Sequence, residues 1–478
     1  MKKAILLTLL FLTVSFPQIS LYKLNLYTEE YAKRNSLPSV SAGLIEKNKI
    51  VWTDYVGSID LENNVHAEKN SLYRVASISK SITAIAVMQL VEQGKIKLDS
   101  DARNYLPYLP QKKWVFTVRQ LLNHTSGIRN YKSEEEFNSK INFKSIRDAM
   151  MYIGMDSLEY QPGTKYVYST LAYNLLAGII EQVSGMSYES YLQRNIFEPL
   201  KMASTKLDFY NKIILNRAKG YQKNSLRQFE NAPIADLTIK FPGGGVLSTI
   251  EDLLKFSNGL LQNKLIKKQT LDTMLTETVL LNGTKIQYGL GLGFGIDKYG
   301  RKFYGHSGGG TGFVSQFMCY PDLDLATVHL INCRDRNLIN VAEEIAALYT
   351  GKDVAFPKFS LSDTLTKIAT TVSIDSALIF WTDIEKTKDD NFLFSNNEKK
   401  DFGYDLLASH RTKDAILAFT KLAETDTTFP GGFIGLGEAF NLDGNKGLAL
   451  RYLKKAQKLK PNDPLIQAQI LQIEKEHE

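Results

Sequence analysis

A serine stands three residues before a lysine at Ser77-Ile78-Ser79-Lys80, where a strongly apolar run begins (Ile82, Ile85, Val87, Met88, Leu90, Val91). On a helix, positions i and i+3 share a face, so the Ser77 hydroxyl and the Lys80 amine could meet. A serine is a weak nucleophile until a neighbouring group takes its proton. A lysine held there could take it, or could acidify another base. A helix N-terminus also offers free backbone N–H groups at the positive end of the dipole, which suits an oxyanion. The chemistry this implies is acyl transfer through a serine. As a helix N-cap alone, Ser77 would be structural.

The elements around this pair follow from the patterning. Ser39–Glu46 and Ile50–Val56 are short apolar runs about a polar Lys47-Asn48-Lys49 turn, a β-hairpin signal. The Ser77 helix stops near Gly94. From there to about residue 260 the pattern is helical with loops, as at Val118–Leu122, Ser145–Tyr152, Ala172–Val183 and Thr249–Leu261. Tyr288–Ile296 alternates glycine with apolar residues. Thr311–Tyr320 and Asp324–Cys333 read as two strands about Pro321-Asp322, and Asn340–Tyr349 as a closing helix. Early strands, a helical middle and late strands imply an antiparallel sheet whose first strands meet its last ones, an α/β (α+β) fold.

Length and composition bound the function. A chain of 478 residues suggests two or three domains, and 44% hydrophobic with 23% charged residues is ordinary for a globular protein. The formal charge is +7, or +5 without Lys2 and Lys3, and no dense basic cluster argues for nucleic acid. Lys2 and Lys3 followed by apolar Ala4–Phe16 read as a signal peptide over residues 1–20, too short to span a bilayer. The expected location is periplasmic or secreted in a bacterium, with no membrane span once the leader is cleaved. Cys319 and Cys333 fall near the turn and at the far end of the late hairpin, roughly 20 Å apart at strand spacing. A disulfide cannot bridge that gap, so two free thiols are expected. The six histidines show no metal-ligand spacing, and neither metal nor cofactor is expected.

Three short motifs occur in a telling order: Ser77-x-x-Lys80, Tyr168-Ser169-Thr170, and His306-Ser307-Gly308 just before a strand. Together they resemble the serine β-lactamase and penicillin-binding-protein family, whose related set is Ser-x-x-Lys, Ser-Asp-Asn and Lys-Thr-Gly. The tyrosine and His-x-Gly variants look like the class C branch, which includes D-alanyl-D-alanine carboxypeptidases, D-aminopeptidases and esterases. Tyr73-Arg74-Val75-Ala76, Leu121–Ile128 and Gly243–Thr249 add to the likeness, which covers about residues 28–350.

The resemblance implies a β-lactamase/transpeptidase-like fold: an antiparallel sheet flanked by helices, with a helical subdomain. It implies Ser77 as the acylated nucleophile, Lys80 as the local positive charge and Tyr168 as general base. The N–H groups of Ser77 and Gly309 would form the oxyanion hole. Thr170, His306, Ser307 and Gly308 would face substrate, with His306 binding a carboxylate or polarising Tyr168 and adding pH sensitivity near neutrality. His124 reads as a turn or core histidine. Thr170 departs from the family's asparagine: a hydroxyl replaces an amide that donates and accepts at once. The carbonyl attacked is therefore left open among ester, D-amino-acid peptide and β-lactam. The substrate would be a small molecule or peptide, peptidoglycan-derived being one option. A non-catalytic protein that binds a peptide or wall fragment is the alternative.

The C-terminal part repeats with a 34-residue offset. Gly403 recurs as Gly437, Leu406 as Phe440, Ala415 as Ala449 and Phe419 as Leu453. The second copy resembles the tetratricopeptide pattern, with a small residue where two helices cross. Leu361–Lys388 and Pro464–Lys475 also read as helices. The expected organisation is a hydrolase domain at 21–355, a helical connector at 356–395 and repeats at 396–478. The repeats either present a concave face to a protein partner or buttress the preceding domain.

Overall fold

The computed structural model describes residues 21–475, apart from 337 and 339. The leader read at residues 1–20 lies outside the described residues. A seven-stranded antiparallel sheet organises the first 350 residues. Its order is Gly293–Ile296, Lys302–Gly310, Phe313–Tyr320, Leu325–Ile331, Ser39–Glu46, Lys49–Asp60 and Val65–His66. The first strand pairs with a late one, Val40 opposite Ile331 and Glu46 opposite Leu325. The fold is therefore of the β-lactamase/transpeptidase type: an antiparallel sheet closed by chain ends and flanked by helices.

Every residue of Leu325–Ile331 is buried, because both faces of the sheet are covered. Helices Leu21–Arg34 and Val341–Tyr349 close one face through Leu24, Tyr27, Val341 and Ile345. On the other face, helix Ile250–Leu261 lies against Gly43, where a Cβ would come within 2.7 Å of Ile250 Cγ2. The early hairpin turns in two residues, Lys47 and Asn48, both with positive φ (46° and 67°), the geometry a right-twisted hairpin selects.

Helix Ile78–Glu92 is buried almost all round, among Ala172–Ser184 and the short turn Phe241–Gly244. An apolar surface on every side marks a central helix, not one with a solvent face. It ends at Gln93, followed by Gly94 at φ 71°, the left-handed stop that glycine favours.

His306-Ser307-Gly308 does not precede a strand; it lies within Lys302–Gly310. Three consecutive glycines carry little strand propensity, so pairing with Phe313–Tyr320 imposes the conformation. Beyond residue 360 the chain is helical, with its own apolar cluster built on Leu365, Trp381, Phe402, Phe419, Leu436 and Leu453. Helices Asn396–Ala408 and Thr412–Thr425 form one hairpin, and Pro430–Leu442 and Lys446–Leu459 a second. The repeating glycines sit at equivalent crossings. A Cβ on Gly403 would meet the Phe419 ring at 2.5 Å, and one on Gly437 would meet Leu453 Cγ at 2.6 Å. Cys319 and Cys333 are buried free thiols. No helix among the described residues is long and apolar enough to cross a membrane.

Candidate active site

Ser77 opens the central helix with φ −65° and ψ −9°, and its side chain makes no capping bond. The hydroxyl is therefore free of the structural duty that an N-cap serine usually performs. The residue before it, Ala76, has φ 46°, a left-handed conformation that costs a residue bearing a Cβ and that surrounding structure must hold. Ser315 Oγ donates to Val75 O at 2.8 Å and ties this elbow to the sheet.

Lys80 reaches back one turn. Its Nζ lies 3.1 Å from Ser77 Oγ, 3.1 Å from Thr170 Oγ1 and 2.6 Å from Gly243 O. The side chain is fully buried and, among the described residues, makes no ion pair with a carboxylate. Burial, and then the charge of Lys240, hold its pKa well below the ordinary lysine value. The three partners fit either protonation state. A neutral amine can donate to the Gly243 carbonyl and the Thr170 hydroxyl while accepting from Ser77 Oγ–H, because hydroxyls donate or accept as required.

Tyr168 lies in the loop before helix Ala172–Ser184, its ring centroid 4.7 Å from Lys80 Nζ. Burial pushes its phenol above the ordinary tyrosine range, and the nearby Ser77 hydroxyl works against that shift. Ser169 Oγ donates to Arg129 O at 2.6 Å and accepts from Ala172 N, so it pins the loop instead of facing a ligand.

Gly308 and Gly309 differ in what surrounds them. A Cβ at Gly308 would fall inside contact distance of Ser315 Oγ and Val75 O, so only glycine lets this strand approach the Ser77 elbow. A Cβ at Gly309 would meet nothing within 4 Å. Gly309 also lines a cavity, together with Ser77, Thr170, Gly243, Arg74, Tyr131 and Lys240.

His306 corrects the expectation drawn from sequence. It is buried, it does not line this cavity, and both ring nitrogens are engaged. Its Nδ1 faces Ser307 O at 2.5 Å and so carries the proton, which leaves Nε2 to accept from Tyr288 Oη at 2.9 Å. The Ser169 N–H donates to His124 Nδ1 at 3.2 Å, so the His124 proton is on Nε2, directed at Tyr288 Oη at 3.3 Å. A single-direction chain results, from Ser169 through His124 and Tyr288 to His306. Burial, and then the Lys80 charge, lower the His306 pKa to about 4. The ring thus has neither a charge nor a free nitrogen for a carboxylate, and no titration near neutrality. Ser307 is exposed and Gly308 is buried against the elbow; neither lines the cavity.

Sequence reasoning passed over Tyr288 and gave His124 only a packing role. The His124 ring lies 4.1 Å from the Tyr168 ring, centroid to centroid, and so sets the face against which Tyr168 rests. The one available signal was the recurrence of polar aromatics in otherwise apolar or glycine-rich runs. No set of His, Cys, Asp and Glu side chains among the described residues is arranged to hold a metal ion.

Comparison with known proteins identifies the family. A protein-family model described as Beta-lactamase matches residues 24–351. The chain belongs to the beta-lactamase family. It is 28% identical over 386 residues to the serine beta-lactamase-like protein LACTB, mitochondrial, of Homo sapiens, covering 61% of this chain and 70% of that one. It is also 28% identical over 305 residues to penicillin-binding protein 4* of Bacillus subtilis (strain 168), covering 60% and 66%. Among solved structures, the octameric penicillin-binding protein homologue from Pyrococcus abyssi superposes with a TM-score of 0.61 at 24% identity, covering 74% of this chain and 82% of that one. A D-stereospecific amidohydrolase from Streptomyces sp. gives 0.58 at 25% identity, covering 69% and 99%.

Proposed function

We propose that this chain is an exported serine hydrolase, periplasmic or secreted, that forms an acyl-enzyme on Ser77 with an ester, D-amino-acid peptide or β-lactam carbonyl. The observation that carries the reading is Lys80, a buried amine 3.1 Å from Ser77 Oγ with its pKa well below normal and no carboxylate to fix its charge. The family membership supports a hydrolase, and the D-stereospecific amidohydrolase neighbour supports a D-configured acyl donor among the choices.

The proposed course follows from where protons can sit. Ser77 Oγ attacks the carbonyl carbon and its proton passes to the Lys80–Tyr168 pair. Lys80 is the member whose pKa has come down, so it is the acceptor. Tyr168, whose pKa has gone up, stays protonated and delivers a proton to the leaving group. The pair gains one proton and loses one, so its charge is unchanged when the acyl-enzyme stands. Relative to the resemblance, which makes Tyr168 the base, the two residues exchange roles. The backbone N–H groups of Ser77 and Gly309 would receive the oxyanion. Water then releases the acyl group by the reverse proton route. His124, Tyr288 and His306 act as positioning residues for Tyr168. The helical hairpins after residue 396 are read as tetratricopeptide-like repeats, following the connector at 356–395 and the hydrolase domain at 21–355.

The test uses the full chain and a neutral fluorophosphonate. Wild type should label at Ser77, and Ser77→Ala should not label at all. The labelling rate should rise with pH through an ionisation below the ordinary lysine range, a limb that Lys80→Ala removes. Labelling retained at another serine in Ser77→Ala would overturn the assignment. Absence of both labelling and ester turnover in wild type would favour a binding protein.

A further inference from the structure

The cavity in front of Ser77 is lined by two cations, Arg74 and Lys240, and they are in different states. Arg74 has a carboxylate partner: its Nε lies 2.7 Å from the fully buried Asp208, which it shares with Arg217 at 2.8 Å. Lys240 has no such partner. Among the described residues it forms no ion pair, and its only hydrogen bond is to the Phe137 carbonyl. The ammonium sits between two ring faces, 4.0 Å from the Phe137 centroid and 5.1 Å from that of Tyr131. The residue is 5% exposed. No acidic side chain lines the cavity.

A buried charge without a counter-ion is costly, and the structure around Lys240 does little to relieve it. Burial, and then the Arg74 charge, bring its pKa down to about 7, while the Glu134 charge acts weakly in the opposite sense. The wall that holds it is nevertheless built. Arg129, 4% exposed, pairs with Glu136 at 2.9 Å and also with Asp156, which fixes the loop carrying Tyr131 and Phe137. Lys240 itself ends the turn Leu237–Lys240, three residues before Gly243, whose carbonyl receives Lys80 Nζ. The Tyr131 hydroxyl is buried on the same wall, facing the Thr170 hydroxyl without completing a hydrogen bond.

We propose that Lys240 is a specificity-determining residue, the counter-charge for a carboxylate carried by the acyl donor that Ser77 attacks. This rests on the hydrolase reading above. His306 is committed to Tyr288, Arg74 shares Asp208 with Arg217, and Lys80 is held by Ser77, Thr170 and Gly243, so Lys240 is the cavity cation with no carboxylate partner among the described residues. A carboxylate entering the cavity would form a charge-assisted hydrogen bond with the ammonium. It would also return to Lys240 the charge that burial works against.

The test compares kcat/KM for two matched ester pairs on the full chain. In one the carboxylate is on the acyl side (p-nitrophenyl acetate and the mono-p-nitrophenyl ester of glutarate). In the other it is on the leaving group (phenyl acetate and 3-acetoxybenzoate). Wild type should favour the anionic member of one pair. Lys240→Met, which keeps the stem between the two rings, and Lys240→Gln should each lower that anionic-to-neutral ratio tenfold or more. Lys240→Arg should retain part of it. In parallel, glutarate but not glutaramide should slow fluorophosphonate labelling of Ser77 in wild type, and neither should do so in Lys240→Met. If Ser77 labels normally but the ratios and the protection do not respond to Lys240, this proposal fails and the hydrolase reading stands. If Ser77 does not label, the hydrolase reading itself has failed.

Discussion

Each ionisable side chain near Ser77 is tuned by how it is buried and by what it faces. Lys80 and His306 share a dominant cause, desolvation, which disfavours their charged forms. The His306 pKa is lowered to about 4, and His329, whose Nδ1 accepts from Ala342 N at 3.2 Å, is lowered to about 3 by burial alone. Folded-state values below the unfolded ~6.5 mean that the unfolded chain binds more protons in the intervening range, so stability rises with pH there. The contribution is complete above about pH 6.5 and is lost as pH falls towards the folded values. Between pH 7 and 4.5 each histidine should cost about 2 kcal/mol of stability. The check is the urea midpoint at the two pH values, together with histidine ring resonances in the folded protein. Rings of His306 and His329 that titrate near 6.5 would refute it. The Ser77–Lys80 pair was legible because helical spacing alone brings i and i+3 together. Tyr288 was not, because its two histidine partners stand 164 and 18 residues away and no local period links them.

The strand Lys302–Gly310 shows how one element serves both fold and site. Gly308 packs against the Ser77 elbow, whereas Gly309 lines the cavity with nothing near its Cβ position, so these two neighbours should respond oppositely to the same change. Gly308→Ala would push the strand off Val75 and Ser315, and should destabilise the fold by about 1–3 kcal/mol. Gly309→Ala meets open space, and should alter stability by less than about 0.5 kcal/mol. It should nonetheless slow Ser77 acylation at least tenfold, by filling the cavity and crowding the carbonyl. Urea titration and labelling rates of both variants give the answer, and equal stabilities would show that the strand can yield at Gly308. The early hairpin and the helices Val118–Leu122 and Pro464–Lys475 are legible in sequence because apolar periodicity and turn residues agree. The glycine strand is not, because its conformation comes from its pairing with Phe313–Tyr320.

Across the whole molecule, the apolar clusters of the sheet region are separate from that of the helical region, and charged residues join the two. Arg336 reaches Asp405 at 2.7 Å and Ser362 Oγ at 2.9 Å. Arg227 and Lys223 both bridge Asp335 and Asp363. Burial raises the Asp405 pKa against the pull of Arg336, so this carboxylate depends on its partner to stay ionised. Arg336→Ala should weaken the junction by about 2 kcal/mol, less than a fully buried pair, because Arg336 is 32% exposed. In calorimetry the helical region should then unfold at a lower temperature than the sheet region. An unchanged profile would show that apolar contacts alone hold the two together.

By itself the sequence determined what is local: the Ser77-x-x-Lys80 turn, a hairpin about Lys47-Asn48-Lys49, and the 34-residue recurrence of small residues at helix crossings. These need only spacing, turn chemistry and periodicity. Tertiary structure decided which groups are charged and which are free. It withdrew His306 from the cavity, brought Tyr288 between two histidines, lowered Lys80, and left Lys240 without a counter-ion beside Ser77. The physical reason is that burial and partner choice set a side chain's protonation and availability, and both depend on residues distant in sequence.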